Sequence, residues 1–424
     1  MPKQRRLFIR TFSILLLFVT LLTGCGSSTP PDNEDAYQPL INFDLMLDIP
    51  PAPVPERLPD SEFISVYRDF AVNLFKAANI HDQNIVISPF CIMNSLTLLA
   101  NGAIGKSQTE ITQTFGKYIQ PEELNAYMAT YTNILSQEYN VKTSSSVWIN
   151  GLDDSCVPEK TFLQTNADYY LGNAYLLDFS TNYSYAVSEW LKNSAGLSYP
   201  ENIEPLTDNS SVSFLGAFTG NSTWKIPFAE TSQGTFTVNE EVKHIKCMVS
   251  NENAYISLGY ASGFLKPLDN GMSVAFIKPE FSIDIDYVID SLSGSRLENL
   301  FNSVSYDYCV KVSIPEFSRS DLPDIKTALS KCGIKTAFDK DLANIQNILK
   351  SNTKTYISHI AAPVSIVFNA QGFSFNGSAC TPKADVTAPE NTNPVKEINF
   401  DSPFLYILFD NYGSPVLLGK VASI

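Results

Sequence analysis

Histidine is scarce in this chain: 424 residues contain only His81, His244 and His359. That leaves little material for a metal cluster or for extended acid–base chemistry. Basic charge is also scarce, with 29 Lys and Arg against 44 Asp and Glu and a formal charge of -15. Nucleic acid requires a basic surface, so nucleic-acid binding is excluded. No CxxC pair occurs, which removes a structural zinc or thioredoxin-like site. Cys91, Cys156, Cys247, Cys309, Cys332 and Cys380 are spaced too widely and irregularly for a disulfide framework, and are expected as isolated core cysteines. Enzyme motifs are missing too. There is no HExxH, and no GxGxxG follows a strand. Gly102 to Gly105 encloses two residues where a phosphate loop needs four to wrap its amides around phosphate. In Gly220-Asn221-Ser222-Thr223-Trp224 a tryptophan stands where a nucleophile elbow needs its second glycine. His359 reads as a strand-end or surface histidine. Neither an enzyme, a cofactor nor a metal is expected.

What is present is a globular composition, 44% hydrophobic and 12% aromatic with 17% charged, which excludes disorder of the whole chain. The first residues combine Lys3, Arg5, Arg6 and Arg10 with a mostly apolar run from Leu7 to Leu22. The run is short for a membrane span, which needs roughly 20 predominantly apolar residues. Leu22-Thr23-Gly24-Cys25 resembles the bacterial lipobox, so residues 1–24 are read as a lipoprotein signal peptide and Cys25 as the lipidated mature N-terminus. Such a protein is exported and lipid-anchored to the outer face of the bacterial cell membrane. An acidic chain is repelled by anionic lipid, so the lipid would hold it there. Residues 25–62, including Pro50-Pro51-Ala52-Pro53-Val54-Pro55, are expected as a stiff spacer, because proline fixes φ and removes donors.

No second linker follows, so residues 63–424 are expected to form one large domain. Apolar residues at Phe63, Val66, Phe70, Leu74 and Phe75 carry helical spacing over 63–76. Cys91 to Ala100 and Ser107 to Phe115 also read as helices. Ser144 to Ile149, Ser273 to Lys278 and Cys309 to Ile314 read as strands. The runs Phe404–Phe409 and Val416–Gly419 around Asp410-Asn411-Tyr412-Gly413-Ser414 predict a buried hairpin. Strands and helices without regular alternation point to the α+β class.

Several short segments then line up in order. They include Asn84-Ile85-Val86-Ile87-Ser88-Pro89-Phe90, Leu98 to Ile111, Val147-Trp148, Trp224 with Pro227-Phe228, and Ile314-Pro315-Glu316-Phe317. Leu329, Gly333-Ile334 and Ala337-Phe338 follow, and the series closes with Phe400-Asp401-Ser402-Pro403-Phe404-Leu405-Tyr406-Ile407 and Gly419-Lys420-Val421. In this order and spacing the chain, from about Phe63 to Ile424, resembles the serpins. The resemblance implies three β-sheets surrounded by helices, with an exposed reactive loop near the C-terminus. It further implies a monomeric suicide-substrate inhibitor of extracellular serine, or alternatively cysteine, proteases. In such inhibitors the cut loop inserts into the main sheet as an extra strand.

Under this resemblance Gly372 matches the hinge glycine, and the hinge continues as Phe373, Ser374, Phe375, Asn376, Gly377, Ser378 and Ala379. The family prefers a small hydroxyl residue and then alanines here. Phe373, Phe375, Gly377 and Ala379 would share one strand face, a pattern that suits a half-buried strand. A phenylalanine favours insertion where a pocket receives it. Where none exists, overpacking costs about 1–3 kcal/mol per site. Bulky rings should also slow entry, so Phe373→Thr with Phe375→Ala should raise inhibition relative to cleavage. The departure keeps a second reading open, a non-inhibitory binding protein. Beneath the sheet opening, Ser88 matches the family's polar cluster, whereas Cys91, Gly216 and Ala362 replace other members. Trp224 lacks the Phe-Lys-Gly that precedes it in the family. Family spacing puts the scissile bond at Val386–Thr387, with Lys383–Ala384 as second choice, in a segment whose Thr387 to Pro394 part is longer than usual.

Overall fold

A computed structural model describes residues 43–116, 119–151, 156–180, 183–197, 211–375, 377–378, 380 and 391–424. Cys25 and the signal segment 1–24 lie outside them. In chain order, β1 (Phe43–Asp44) precedes α1 (Ser61–Ala78), β2 (Ile85–Ile87), α2 (Pro89–Gly102), α3 (Lys106–Gln113) and α4 (Pro121–Tyr139). Next come β3 (Lys142–Asn150), β4 (Val157–Pro158), α5 (Lys160–Thr165), β5 (Asn173–Leu177) and α6 (Tyr183–Ala195). The middle is mostly strand: β6 (Val212–Thr219), β7 (Asn221–Thr223), β8 (Glu230–Val238), β9 (Glu241–Glu252), β10 (Tyr255–Ser257), β11 (Ala261–Pro267) and β12 (Ser273–Pro279). After α7 (Ile285–Ser291) and α8 (Gly294–Asn302) stand β13 (Cys309–Pro315), β14 (Phe317–Asp321) and α9 (Ile325–Lys331). The chain ends with β15 (Leu349–Lys350), β16 (Ile357–Ala361), β17 (Val364–Asn369), β18 (Gly372–Ser374), β19 (Val395–Asn399), β20 (Phe404–Phe409) and β21 (Pro415–Val421).

Capping residues set the helix starts. The Asp60 carboxylate accepts the N–H of Phe63, so α1 begins at Ser61, two residues before its first buried ring. Ser88 caps α2 in the same way, with Pro89 in the first turn, where its missing N–H is not needed. Nearly every residue of α2 is buried, which makes it the central helix behind the main sheet.

The strands order as β1-β5-β3-β6-β16, β10-β11-β12-β20-β21-β2, β19-β13-β9-β8 and β14-β17-β18-β7, besides the small β15-β4 ladder. The first and fourth of these are two ends of one surface. Only Gly220 separates β6 from β7, and only Ala362 and Pro363 separate β16 from β17. Three large sheets result. Within the main sheet β6 and β16 run parallel, in contact through Val212, Ser213, Phe214 and Leu215. Helix α6 covers the face opposite α2, where Tyr183 Oη lies 2.8 Å from Ser213 Oγ and Trp190 Nε1 donates to Asn173 Oδ1.

The expected spacer needs correction. From Phe43 onward it lies on the domain. β1 pairs with β5, and the N–H groups of Leu45, Ala52 and Arg57 donate to Ala174 O, Asp168 Oδ1 and Thr130 Oγ1. The Arg57 guanidinium stacks 4.5 Å from the Tyr127 ring centre. A proline-rich segment is already extended, so docking it costs little conformational entropy. His359 also differs from expectation. It sits inside β16 with Nδ1 buried and without a hydrogen-bond partner, and desolvation pulls its pKa down. The six cysteines after Cys25 are all free, four of them buried.

The C-terminal hairpin encloses Asp410, whose Oδ1 accepts the N–H groups of Tyr412 and Ser414 while Tyr131 Oη donates to Oδ2. Burial outweighs these bonds and raises its pKa from 3.8 to about 6. The folded protein therefore holds this proton where the unfolded chain has released it, so this group's contribution to stability falls as pH rises from about 4 to 6. Asp410→Asn should remove that slope. Thermal midpoints of the two proteins between pH 4 and 7 would show it, and parallel curves would refute the assignment.

Candidate functional site

The site is the hinge between β17 and β18. The chain reverses at Asn369, whose side-chain Oδ1 accepts the N–H groups of Gln371 at 2.9 Å and Gly372 at 3.0 Å. Such a side-chain turn is what asparagine does well. The turn's carbonyls are taken up from outside. Trp224 Nε1 donates to Asn369 O at 2.9 Å, Phe228 N to Ala370 O at 3.0 Å and Trp224 N to Gln371 O at 3.0 Å.

Beyond the turn, Gly372, Phe373 and Ser374 form β18, antiparallel to both neighbours. Phe373 stands opposite Phe368 of β17 and Ser222 of β7. Phe375 N then donates to Gly220 O at 2.9 Å. Both rings are fully buried. Phe375 stacks on Phe218 with centroids 4.8 Å apart, in space that exists because Gly220 has no side chain. Phe373 lies among Trp224, Phe368 and Tyr406, with centroids 6.3–6.4 Å away. Fitted pockets therefore receive the two rings, and overpacking does not arise. Gly372 is required by close approach: a Cβ there would collide with the backbone oxygen of Ser222 and sit 2.7 Å from Cys380 Sγ.

Beyond Phe375 the chain still touches β17, where Gly377 N donates to Ser365 O at 3.2 Å. Gly377 takes a left-handed φ of +75° and is exposed, as is Ser378. Cys380 folds back into cover, its thiol donating to Ser222 O at 3.5 Å. Asn376, Ala379 and both candidate scissile pairs, Val386–Thr387 and Lys383–Ala384, lie outside the described residues.

The sheet-opening residues divide into separate places. Ser88, Cys91 and Gly216 meet beneath β6, where a Cβ on Gly216 would lie 2.9 Å from that of Cys91. The Ser88 hydroxyl is spent on capping α2, and burial pushes the Cys91 thiol up to about 12. Ala362 is buried at the join of β16 and β17, and Trp224 belongs to the hinge turn instead. Apolar packing thus replaces a polar network. Gly220 and the Asn369 turn were not legible as site residues, although Gly220 is the residue that admits a ring. Among the described residues His81, Asp284 and Asp286 cluster at the surface, but Asp286 already accepts from Asn79, His81 and Lys420.

Known proteins match this arrangement. The family model described as Serpin (serine protease inhibitor) matches residues 65–424. Alpha-1-antiproteinase from Bos taurus is 22% identical over 373 residues, covering 84% of this chain and 86% of its own. The thermophilic serpin tengpin in its native state is 26% identical, with a TM-score of 0.84 over 90% of this chain and 100% of its own. In its latent state the same protein gives 0.72 over 87% and 100%. The present structure therefore resembles the native arrangement more closely than the latent one. Human thyroxine-binding globulin complexed with thyroxine shares the fold, at 20% identity and a TM-score of 0.75 over 85% of this chain and 98% of its own.

Proposed function

This chain belongs to the serpin family, and from that premise we propose that it is a suicide-substrate inhibitor of extracellular serine or cysteine proteases, held at the membrane by a lipid on Cys25. The observation that carries the reading is the seated hinge. β18 already occupies the first positions of an inserted strand, between β7 and β17 and in line with the β6–β16 seam.

A protease nucleophile would attack the carbonyl of Val386, with Lys383 as second choice. The peptide bond breaks, the amine of Thr387 leaves with the proton the nucleophile gave up, and the carbonyl carbon is left bonded to the enzyme as an ester of its serine or a thioester of its cysteine. Continuing the β18–β7 register down β6 would set Lys383 opposite Val212, the first residue of β6. A strand ending near there would fill the seam and carry the tethered protease to its far end. Four β6–β16 residue pairings must separate first. The entering strand replaces them with ladders on both sides, while Pro382, which lacks an N–H, would weaken only the last turn of pairing. Insertion must outrun hydrolysis of the acyl-enzyme, so the outcome is set by a rate. Because Phe373 and Phe375 are already in place, the race starts beyond the bulky residues.

The test is a denaturing gel after mixing residues 25–424, carrying Cys25→Ser, with elastase-like and trypsin-like serine proteases and a papain-like cysteine protease. A covalent band at the summed mass is expected, and sequencing the released peptide locates the cut. Clean cleavage by every class without that band would overturn the inhibitor reading. It would favour the second one, a non-inhibitory binding protein, to which the apolar opening at Cys91, Gly216 and Ala362 also lends support. For the anchor, the full chain should partition with bacterial membranes and Cys25→Ser should release it to the medium. Equal partitioning would refute lipidation.

A further inference from the structure

A buried cation lies behind the hinge. Lys266 of β11 is almost wholly enclosed, with Nζ 2.5 Å from Glu252 Oε1. The same carboxylate oxygen accepts from Ser250 Oγ. The rest of the ammonium faces rings, 4.2 Å from the centroid of Phe228 and 5.7 Å from that of Trp224. These are the two residues whose backbone N–H groups hold the carbonyls of Ala370 and Gln371. The strand end next to Lys266 braces the same segment, since Lys225 N donates to Pro267 O at 2.9 Å.

An enclosed ion pair is a poor device for stability alone. Desolvation offsets most of the mutual attraction, and apolar side chains of similar volume do as well or better. What a cation adds is direction: it binds the face of a ring and so fixes the ring's orientation. We propose that Lys266, neutralised by Glu252, is a positioning residue for loop insertion, holding Phe228 and Trp224 in the orientation that presents their N–H groups to the hinge turn. This rests on reading Gly372–Phe375 as the insertion hinge.

Cys380 supplies the readout, because its thiol is covered only while the hinge is seated. The full chain is alkylated with N-ethylmaleimide and each cysteine followed by peptide mass spectrometry, with Cys91 in α2 reporting global opening. Lys266→Met with Glu252→Gln removes both charges and leaves none stranded. It should speed modification of Cys380 about fivefold or more and leave Cys91 unchanged. Lys266→Arg, which retains the cation, should stay within about twofold of the parent. Phe228→Leu keeps both charges and should speed Cys380 as much as the double variant. Parental rates at Cys380 in Phe228→Leu, or in a folded double variant, overturn the proposal, as does a joint rise at Cys380 and Cys91. No protease enters the measurement. The expected pattern in a protein that traps no protease would leave this inference standing while the inhibitor reading falls.

Discussion

Alanine at both Phe373 and Phe375 is expected, under the proposed inhibitor mechanism, to turn the protein into a substrate, lowering the trapped fraction of protease tenfold or more. Each ring fills a formed pocket, and truncating a well-packed phenylalanine costs about 3–5 kcal/mol. β18 is only three residues long, so its few ladder bonds, worth about 1 kcal/mol each, cannot compensate. The hinge would leave the sheet, and insertion would have to nucleate after cleavage while water attacks the ester. The ratio of covalent complex to cleaved inhibitor measures this. An unchanged or higher ratio would show that the rings are passengers. The sign is opposite to the expectation drawn from bulk, under which smaller residues speed entry. The difference is physical: the rings do not have to enter, because the uncut protein already holds them.

Gly372→Val is the second large effect, and it acts through backbone. The added Cβ would overlap Ser222 O and crowd Thr223 Cα at 2.9 Å, and neither atom belongs to a flexible side chain. β18 therefore cannot pair with β7. Complete loss of trapping is expected, with Cys380 alkylated at least tenfold faster and the thermal midpoint below that of the parent, because the expelled hinge takes the buried Phe373 and Phe375 rings out of their pockets. Gly220→Ala is the graded companion. Its Cβ would overlap the edge of the Phe375 ring and otherwise make an ordinary contact with Asn140 O, so the Asn369 turn should persist and trapping should fall partway. Equal trapping by parent and Gly372→Val would refute the seated hinge as the start of insertion.

Much of this fold was legible because its signals are local. Helix α1 follows from the spacing of Phe63, Phe70 and Leu74, and the C-terminal hairpin follows from two apolar runs around a turn. The motif order from Asn84 to Val421 gave the family, and with it the hinge glycine. The seat of the hinge was not legible, since it depends on residues far apart in sequence. Gly220 makes room for Phe375, Trp224 donates to a turn 145 residues on with Phe228 donating beside it, and a lysine on β11 lies behind both. Nor could composition show that the proline-rich segment binds the domain, because its partners, Thr130, Asp168 and Ala174, are ordinary residues until the fold brings them together.

The β6–β16 seam has a consequence for the protein at rest. Where two parallel strands are held by few residue pairs, with a strand of the same chain waiting at one end, thermal opening can let that strand advance without any cut. The working molecule would then have a shelf life. Its loss would be first-order, independent of concentration and not reversed by cooling, and it would quicken steeply with temperature, as barrier-limited openings do. Measured that way, the potency of a stored sample reports its age as well as its amount.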